Sequence, residues 1–162
     1  MPESVSPPLT AIEQGVVDWF VHFAQSVGLP KSVGEIFGLL FCSPDPLPLD
    51  AIVDRLRMSK GSASQGLRFL ANINAVHKVY MTGDRRDHFA VELSLRRLVA
   101  GFLRERIQPN LDAGGNRLET LHQLVATQAP DDPLWKDRLE RMDSWNKQAS
   151  RLLPLIQTFL DA

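Results

Sequence analysis

The stretch from Asp50 to Glu92 constrains the fold most, because its hydrophobic period switches from helical to alternating within a few residues. Asp50 is expected to cap a short helix, Ala51 to Arg57, with Ile52, Val53 and Leu56 turned inward. After Met58, Ser59 reads as the N-cap of a second helix running to about Asn74, with Ala63, Leu67, Leu70 and Asn74 on one face. Two β-prone runs follow, Val76 to Met81 and His88 to Glu92, joined by TGDRRD. Gly83 and Asp84 are turn formers, so these runs predict a β-hairpin with a polar, basic tip.

The flanks read as helices. The Pro/Ser-rich tail, residues 1–8, is expected to be disordered. Leu9, Ile12, Val16, Phe20, Phe23 and Val27 then form one helical stripe, closed by Gly28. Pro30 opens a second helix near Lys31 to Cys42, which carries Val33, Ile36, Phe37, Leu40 and Phe41. The loop SPDPLPL leaves room for a short extended piece at Leu47 to Leu49. Ser94 caps a long helix with Leu95, Leu98, Val99, Phe102 and Leu103 on its inner side; Pro109 and the Gly114–Gly115 pair are expected to kink or interrupt it before Leu118, Leu121, Leu124 and Val125. Asp132 and Pro133 start the last helix, with a stripe at Trp135, Leu139, Met142, Trp145, Ala149, Leu152, Ile156 and Phe159. From Met142 onward the steps of three and four alternate as in a coiled-coil seam, and Pro154 is expected to bend or split that helix.

The whole order predicts a mainly α chain. Its centre, 29–93, is a winged helix-turn-helix domain with a two-stranded β-hairpin wing; the helix at 9–28 and the helical region at 94–162 form a dimerisation region. With Leu67 in the core, rotation of about 100° per residue turns Gly61, Ser62, Gln65, Arg68, Phe69 and Asn72 outward. Phe69 is the exception, expected to pack beneath the hairpin. Short side chains at Gly61 and Ser62 let a phosphate approach a helix N-terminus, where free N–H groups and the dipole favour an anion. Gln65 suits an adenine edge, and Arg68 a guanine edge or a phosphate. The candidate recognition-helix contacts are Ser59, Lys60, Gly61, Ser62, Ser64, Gln65 and Arg68; those of the wing are Lys78, Arg85 and Arg86.

Charge placement agrees. The chain carries a net −1, yet from Arg55 to Arg106 eleven basic residues stand against four acidic ones, so that span holds +7 and the remainder −8. One basic face is what meeting phosphates requires. Arg55 and Arg57 read as surface charges on the supporting helix; Arg96, Arg97, Arg104 and Arg106 as a solvated face or as partners of acidic helices. Asp84 and Asp87 are placed to hold the neighbouring arginines by ion pairing.

GLPKSVGEIFGLLF, LPLDAIVDRLRMSKGSASQGLRFL and AVHKVYMTGDRRDHFAVE together resemble the MarR superfamily of bacterial repressors, and more narrowly its branch related to the glycine-betaine-synthesis repressor, the GbsR-like proteins. The likeness covers roughly Gly28 to Arg106, and SKGSASQGLRFL followed by GDRRD is its most specific part. It implies a sequence-specific transcriptional regulator, a repressor-like homodimer on a pseudo-palindromic operator of double-stranded DNA. The N- and C-terminal helices would form the subunit interface, here through Leu9, Ile12, Val16, Phe20, Met142, Trp145, Leu152, Ile156 and Phe159. It also implies a small-molecule effector; a quaternary amine would suit an aromatic cage, but no ligand residues follow from the sequence. Where the usual pattern ends the recognition helix with glycine, this chain has Asn74, which tolerates the left-handed conformation.

Other chemistries find little support. His22, His77, His88 and His122 show no metal-site spacing, although His77 and His88 could face each other across the hairpin. The single cysteine, Cys42, excludes an internal disulfide and reads as a buried structural thiol. No phosphate loop or nucleophile–base set is present, so an enzyme is not expected, nor a cofactor or metal. The N-terminus lacks the basic flank and apolar run of a secretory signal, no apolar run is long enough to span a membrane, and the cytoplasm is the expected compartment. Trp19, Phe20, Phe23, Phe37, Phe41, Trp135 and Trp145 fit core and interface packing. The alternative reading is a winged-helix module that binds another protein and no nucleic acid.

Overall fold

The computed structural model describes Ser6 to Ala162; residues 1–5, most of the tail expected to be disordered, lie outside it. The chain divides into two compact units between Leu98 and Val99.

In the first unit, helix α1 (Ala11–Ser26) begins at Thr10, whose hydroxyl accepts from the Glu13 amide at 3.2 Å while the Glu13 carboxylate accepts from the Thr10 amide at 2.8 Å. This reciprocal cap satisfies two of the free N–H groups at a helix start. Helix α2 (Lys31–Cys42) packs along α1 at very short range. A Cβ on Gly34 would lie 2.6 Å from Val21 Cα, and one on Gly38 2.7 Å from Val17 Cα, so only glycine admits this approach. The face of α1 used here is Val17, Val21 and Ala24. Of the stripe read from sequence, Leu9, Val16 and Phe20 are half-buried, Phe20 against Phe37 and Phe41, while the others stay open: Ile12 is 81% exposed, Phe23 54% and Val27 47%.

Strand β1 (Leu47–Pro48) leads directly into α3 (Leu49–Leu56). The N-cap of α3 is Pro48, not Asp50; Asp50 sits within the first turn, where a carboxylate still favours the helix dipole. Ile52 is fully buried. Arg57 ends α3 in the left-handed conformation (φ 51°), and α4 (Lys60–Asn72) follows after a tight turn. Ala63, Gly66, Leu67 and Leu70 are its buried face. Asn74 takes the left-handed region (φ 57°), as its amide side chain allows.

Strands β2 (Val76–Val79) and β3 (His88–Val91) form the expected antiparallel hairpin. The extended piece at Leu47 adds a third strand on its other edge, Leu47 opposite Phe89, giving the order β1-β3-β2. Since Val79 faces His88 and His77 faces Ala90, the two histidines are not cross-strand partners. Helix α5 (Leu95–Phe102) starts at Ser94, whose hydroxyl accepts from the Arg97 amide at 3.5 Å. It buries Ala100 and Gly101, whereas Leu95 is 71% exposed and Val99 38%, against the expected inner side.

In the second unit the backbone stays helical through a π-helical turn (Leu103–Ile107) into α6 (Gln108–Gln128). Pro109 has no N–H to return to the preceding turn, so the ladder is disturbed just before it. The Gly114–Gly115 pair does not interrupt the helix. Gly114 instead faces the Asn146 side chain of α7 (Pro133–Asp161) so closely that a Cβ would collide with it. Asp132 caps α7, accepting from the Leu134 amide at 2.9 Å. Pro154 lies inside α7 without splitting it.

The α7 residues buried within the unit, Leu139 and Leu153, belong to a seam with half-buried Asp143, Asn146, Ser150 and Gln157. Of the stripe read from sequence, Leu139 belongs to this buried seam, while the members that form the coiled-coil pattern lie mostly open beside it: Met142 is 38% exposed, Trp145 66%, Leu152 57%, Ile156 46% and Phe159 77%. His122 on α6 meets the Asp143 carboxylate at 2.8 Å. Among the described residues no helix is long and apolar enough to cross a membrane.

Candidate nucleic-acid interface

The N-terminus of α4 is open. Ser59 adopts extended backbone (φ −69°, ψ 148°), and its Oγ accepts from the Ser62 amide at 3.1 Å and donates to Ser62 Oγ at 3.0 Å. One orphan N–H is thereby satisfied, while the dipole end remains solvent-facing. Lys60, Gly61, Ser62, Gln65, Arg68 and Asn72 are exposed, as the rotation about Leu67 requires. Ser64 is turned further in and is half-buried, as is Phe69. A Cβ at Gly61 would meet nothing closer than Ser59 Oγ at 4.0 Å, so no packing within the chain demands glycine there.

The wing sorts its cations. Asp84 accepts from the Arg86 backbone amide at 3.0 Å, from Arg86 Nε at 3.1 Å and from Nη2 at 2.6 Å. Those bonds hold the Asp84 carboxyl well below the usual carboxylate range. Buried His88 closes the turn from beneath, with Nδ1 3.0 Å from the Arg86 carbonyl and Nε2 3.4 Å from Asp84. Lys78 donates to Asp87 at 2.8 Å. Asp87 therefore holds a lysine across the hairpin and not a neighbouring arginine. Arg85 is exposed, and among the described residues no carboxylate pairs with it.

Arg55 corrects the expectation of a surface charge. Its side chain is only 15% exposed, and Nη2 donates to Glu13 Oε1 at 2.8 Å. Arg97 pairs with Glu92 and Arg104 with Asp161, each at 3.3 Å. Burial pushes the Cys42 thiol up, which keeps it in the unreactive form. Two residues drew no binding role from sequence. His88 is the anchor of the wing tip, legible in retrospect only from its spacing to Asp84. Tyr80, at the end of β2, is 90% exposed, an unusual cost for so large a ring.

No family model matches the chain. It is 26% identical to the HTH-type transcriptional repressor GbsR of Bacillus subtilis (strain 168) over 166 residues, covering 94% of this chain and 92% of that protein. From the same organism, the putative HTH-type transcriptional regulator YvaV is 32% identical over 88 residues (52% and 50% of the two chains). The HTH-type transcriptional repressor OpcR is 28% identical over 80 residues, covering 49% of this chain and 43% of that protein. A solved crystal structure of a transcriptional regulator shares the fold, with a TM-score of 0.66 and 18% identity over 93% of this chain and 99% of that one. The chain is thus similar along nearly its whole length to the GbsR repressor, and it shares its fold with a solved transcriptional regulator.

Proposed function

We propose that the chain is a sequence-specific, double-stranded DNA-binding transcriptional regulator of the repressor type. In this reading it acts as a homodimer under the control of a small-molecule effector. The observation that carries it is the open N-terminus of α4, with Gly61, Ser62, Gln65 and Arg68 exposed, on the same unit as a wing whose Arg85 has no acidic partner among the described residues. Glycine and serine at such positions do nothing for helix stability, glycine costing about 1 kcal/mol in a helix interior. Their use there is access: a phosphate or base edge can reach the backbone. Gln65 and Arg68 then read bases, Lys60 meets phosphate, and Arg85 meets backbone or minor groove.

Dimerisation is supported by the apolar faces left open on α1 (Ile12, Trp19, Phe23) and on α7 (Met142, Trp145, Leu152, Ile156, Phe159). Two copies would set two α4 helices about 34 Å apart, one turn of B-form DNA. Selection of bound fragments from random duplexes tests the reading. A pseudo-palindrome with half-sites one turn apart is the expected product; failure to enrich any sequence, with no retardation of mixed genomic fragments, would favour the protein-binding alternative.

A further inference from the structure

A cavity of about 270 Å³ opens in the first unit between the start of α1, α2 and the end of α3. Leu9, Val17 and Leu56 supply apolar wall; Arg55 and Arg57 supply two guanidinium groups. The arginines are unevenly satisfied. Arg55 is largely buried, donates from Nη2 to Glu13, and keeps an Nε–H that is fully buried with no acceptor. That enclosed, unpartnered donor is a cost to the folded chain, which the Nη2 bond to Glu13 offsets in part. The Arg57 amide donates to the Val53 carbonyl, but its guanidinium has no hydrogen bond or ion pair among the described residues, and the residue sits in a left-handed conformation that non-glycine residues rarely adopt.

The acids nearby are already engaged. Glu13 accepts from the Thr10 amide and from Arg55, and Glu35, also on the cavity wall, is paired with Lys31 at 2.9 Å. What the cavity lacks is a free acceptor for the Arg57 guanidinium. We propose that it is a binding site for a small oxyanion, a carboxylate or phosphoryl group with a short apolar flank, held by the Arg55 and Arg57 guanidinium groups against Leu9, Val17 and Leu56. Guanidinium matches the paired oxygens of such groups.

The site is placed to be felt by α4. Arg57 is the C-cap of α3, and only Met58 separates it from Ser59, the N-cap of α4. An anion that draws Arg57 toward Arg55 acts on the turn that orients α4. The site itself stands without DNA; only its use as an effector site rests on the DNA-binding reading.

The test uses the full chain free of DNA, with ionic strength held constant by chloride. Butyrate, its neutral isostere butyramide, and inorganic phosphate are titrated and followed by amide chemical shifts. The expected result is saturable binding of butyrate or phosphate but not butyramide, with shifts at Glu13, Val17 and Arg55 through Ser62. Tighter phosphate binding assigns a phosphoryl ligand, and tighter butyrate binding a carboxylate. Arg57→Gln, equally placed in the left-handed region, should weaken the anion about tenfold while leaving the unliganded melting temperature unchanged. An equal response to butyramide, no saturable response to either anion, or undiminished affinity in Arg57→Gln overturns the proposal. Loss of DNA binding with the anion titration intact would sink only the regulator reading.

Discussion

Asp84 grips Arg86 through both the guanidinium and the backbone amide, and in the same turn Arg85 is left without a carboxylate. Adjacent arginines that look equivalent in sequence therefore have different work. Arg86 folds the tip, and Arg85 is the cation available to an outside partner.

Arg85→Ala should weaken binding to specific and random duplexes alike, and lower the slope of log affinity against log salt by about 1, the signature of one lost phosphate contact. Arg86→Ala should act through disorder of the tip and also raise the exchange rate of the Arg86 amide held by Asp84. Fluorescence anisotropy across a salt series, beside hydrogen exchange, separates the two. An unchanged salt slope in Arg85→Ala would remove Arg85 from the interface.

Gly61→Ala tests whether the start of α4 needs access. The added methyl meets no protein atom closer than 4.0 Å, and alanine is the better helix former, so thermal stability should hold or rise by up to about 1 kcal/mol. DNA affinity should fall. Gln65→Ala should instead relax discrimination at one base position by about 1–3 kcal/mol. Equal losses on specific and random DNA in Gln65→Ala would contradict base reading.

At Gly34 the expectation is purely structural. The methyl of Gly34→Ala would meet Val21 Cα at 2.6 Å, a backbone atom that cannot swing aside as a flexible side chain can. Separating α1 from α2 should cost about 1–3 kcal/mol or more, seen as a lower urea midpoint. Gly15→Ala, with nothing within 4 Å, is the control and should be neutral or stabilising.

These glycines also mark where sequence reading stops. A helix start leaves a local signature, so Ser59, Ser94 and Asp132 were legible as caps, and Asn74 as a left-handed position. The close approaches at Gly34, Gly38 and Gly114 were not, because a glycine in a helix carries no trace of what passes beside it. Gly114–Gly115 even suggested a break where the structure has a contact. Periodicity found apolar faces on α1 and α7 without saying what covers them. On α1 the unit's own core uses Val17 and Val21, outside the stripe read from sequence; on α7 it uses Leu139, which that stripe contains, and Leu153, which it does not, and most of the stripe's large side chains are open. At the wing, arginine count was legible, but the division between Arg85 and Arg86 depends on where one carboxylate points.

The open seam gives an assembly prediction. Trp145→Glu combined with Leu152→Glu places charge on residues 66% and 57% exposed in the single chain, so α7 itself should fold normally. In a dimer the same carboxylates would be desolvated without partners, at a cost of several kcal/mol per ion. Sedimentation should report a dimer for the parent chain and a monomer for the variant, with helical circular dichroism retained. DNA affinity should fall with it, since one winged unit meets only one half-site.

Acid titration examines the Glu13–Arg55 bridge. The Glu13 carboxyl lies below its ordinary value of 4.5, held first by the Thr10 amide and then by Arg55, with burial opposing both. A group depressed on folding stabilises the folded chain above its unfolded pKa, and that contribution is lost as pH falls through the folded value. Glutamine at position 13 can still accept from Thr10 and keep the reciprocal cap, so Glu13→Gln removes the charge and little else. The pair is mostly shielded, with side chains 15% and 20% exposed, and Arg55 would be left facing a neutral amide. The loss should be about 1–2 kcal/mol near neutral pH, read from urea unfolding. It should shrink at an acid pH below the ordinary 4.5, as the parent's own lowered carboxyl protonates. Asp84 is depressed as well and remains in the variant, so some acid sensitivity persists. A deficit of the same size at both pH values would mean that the charge on Glu13 contributes nothing, and that α1 is tied to α3 by packing alone.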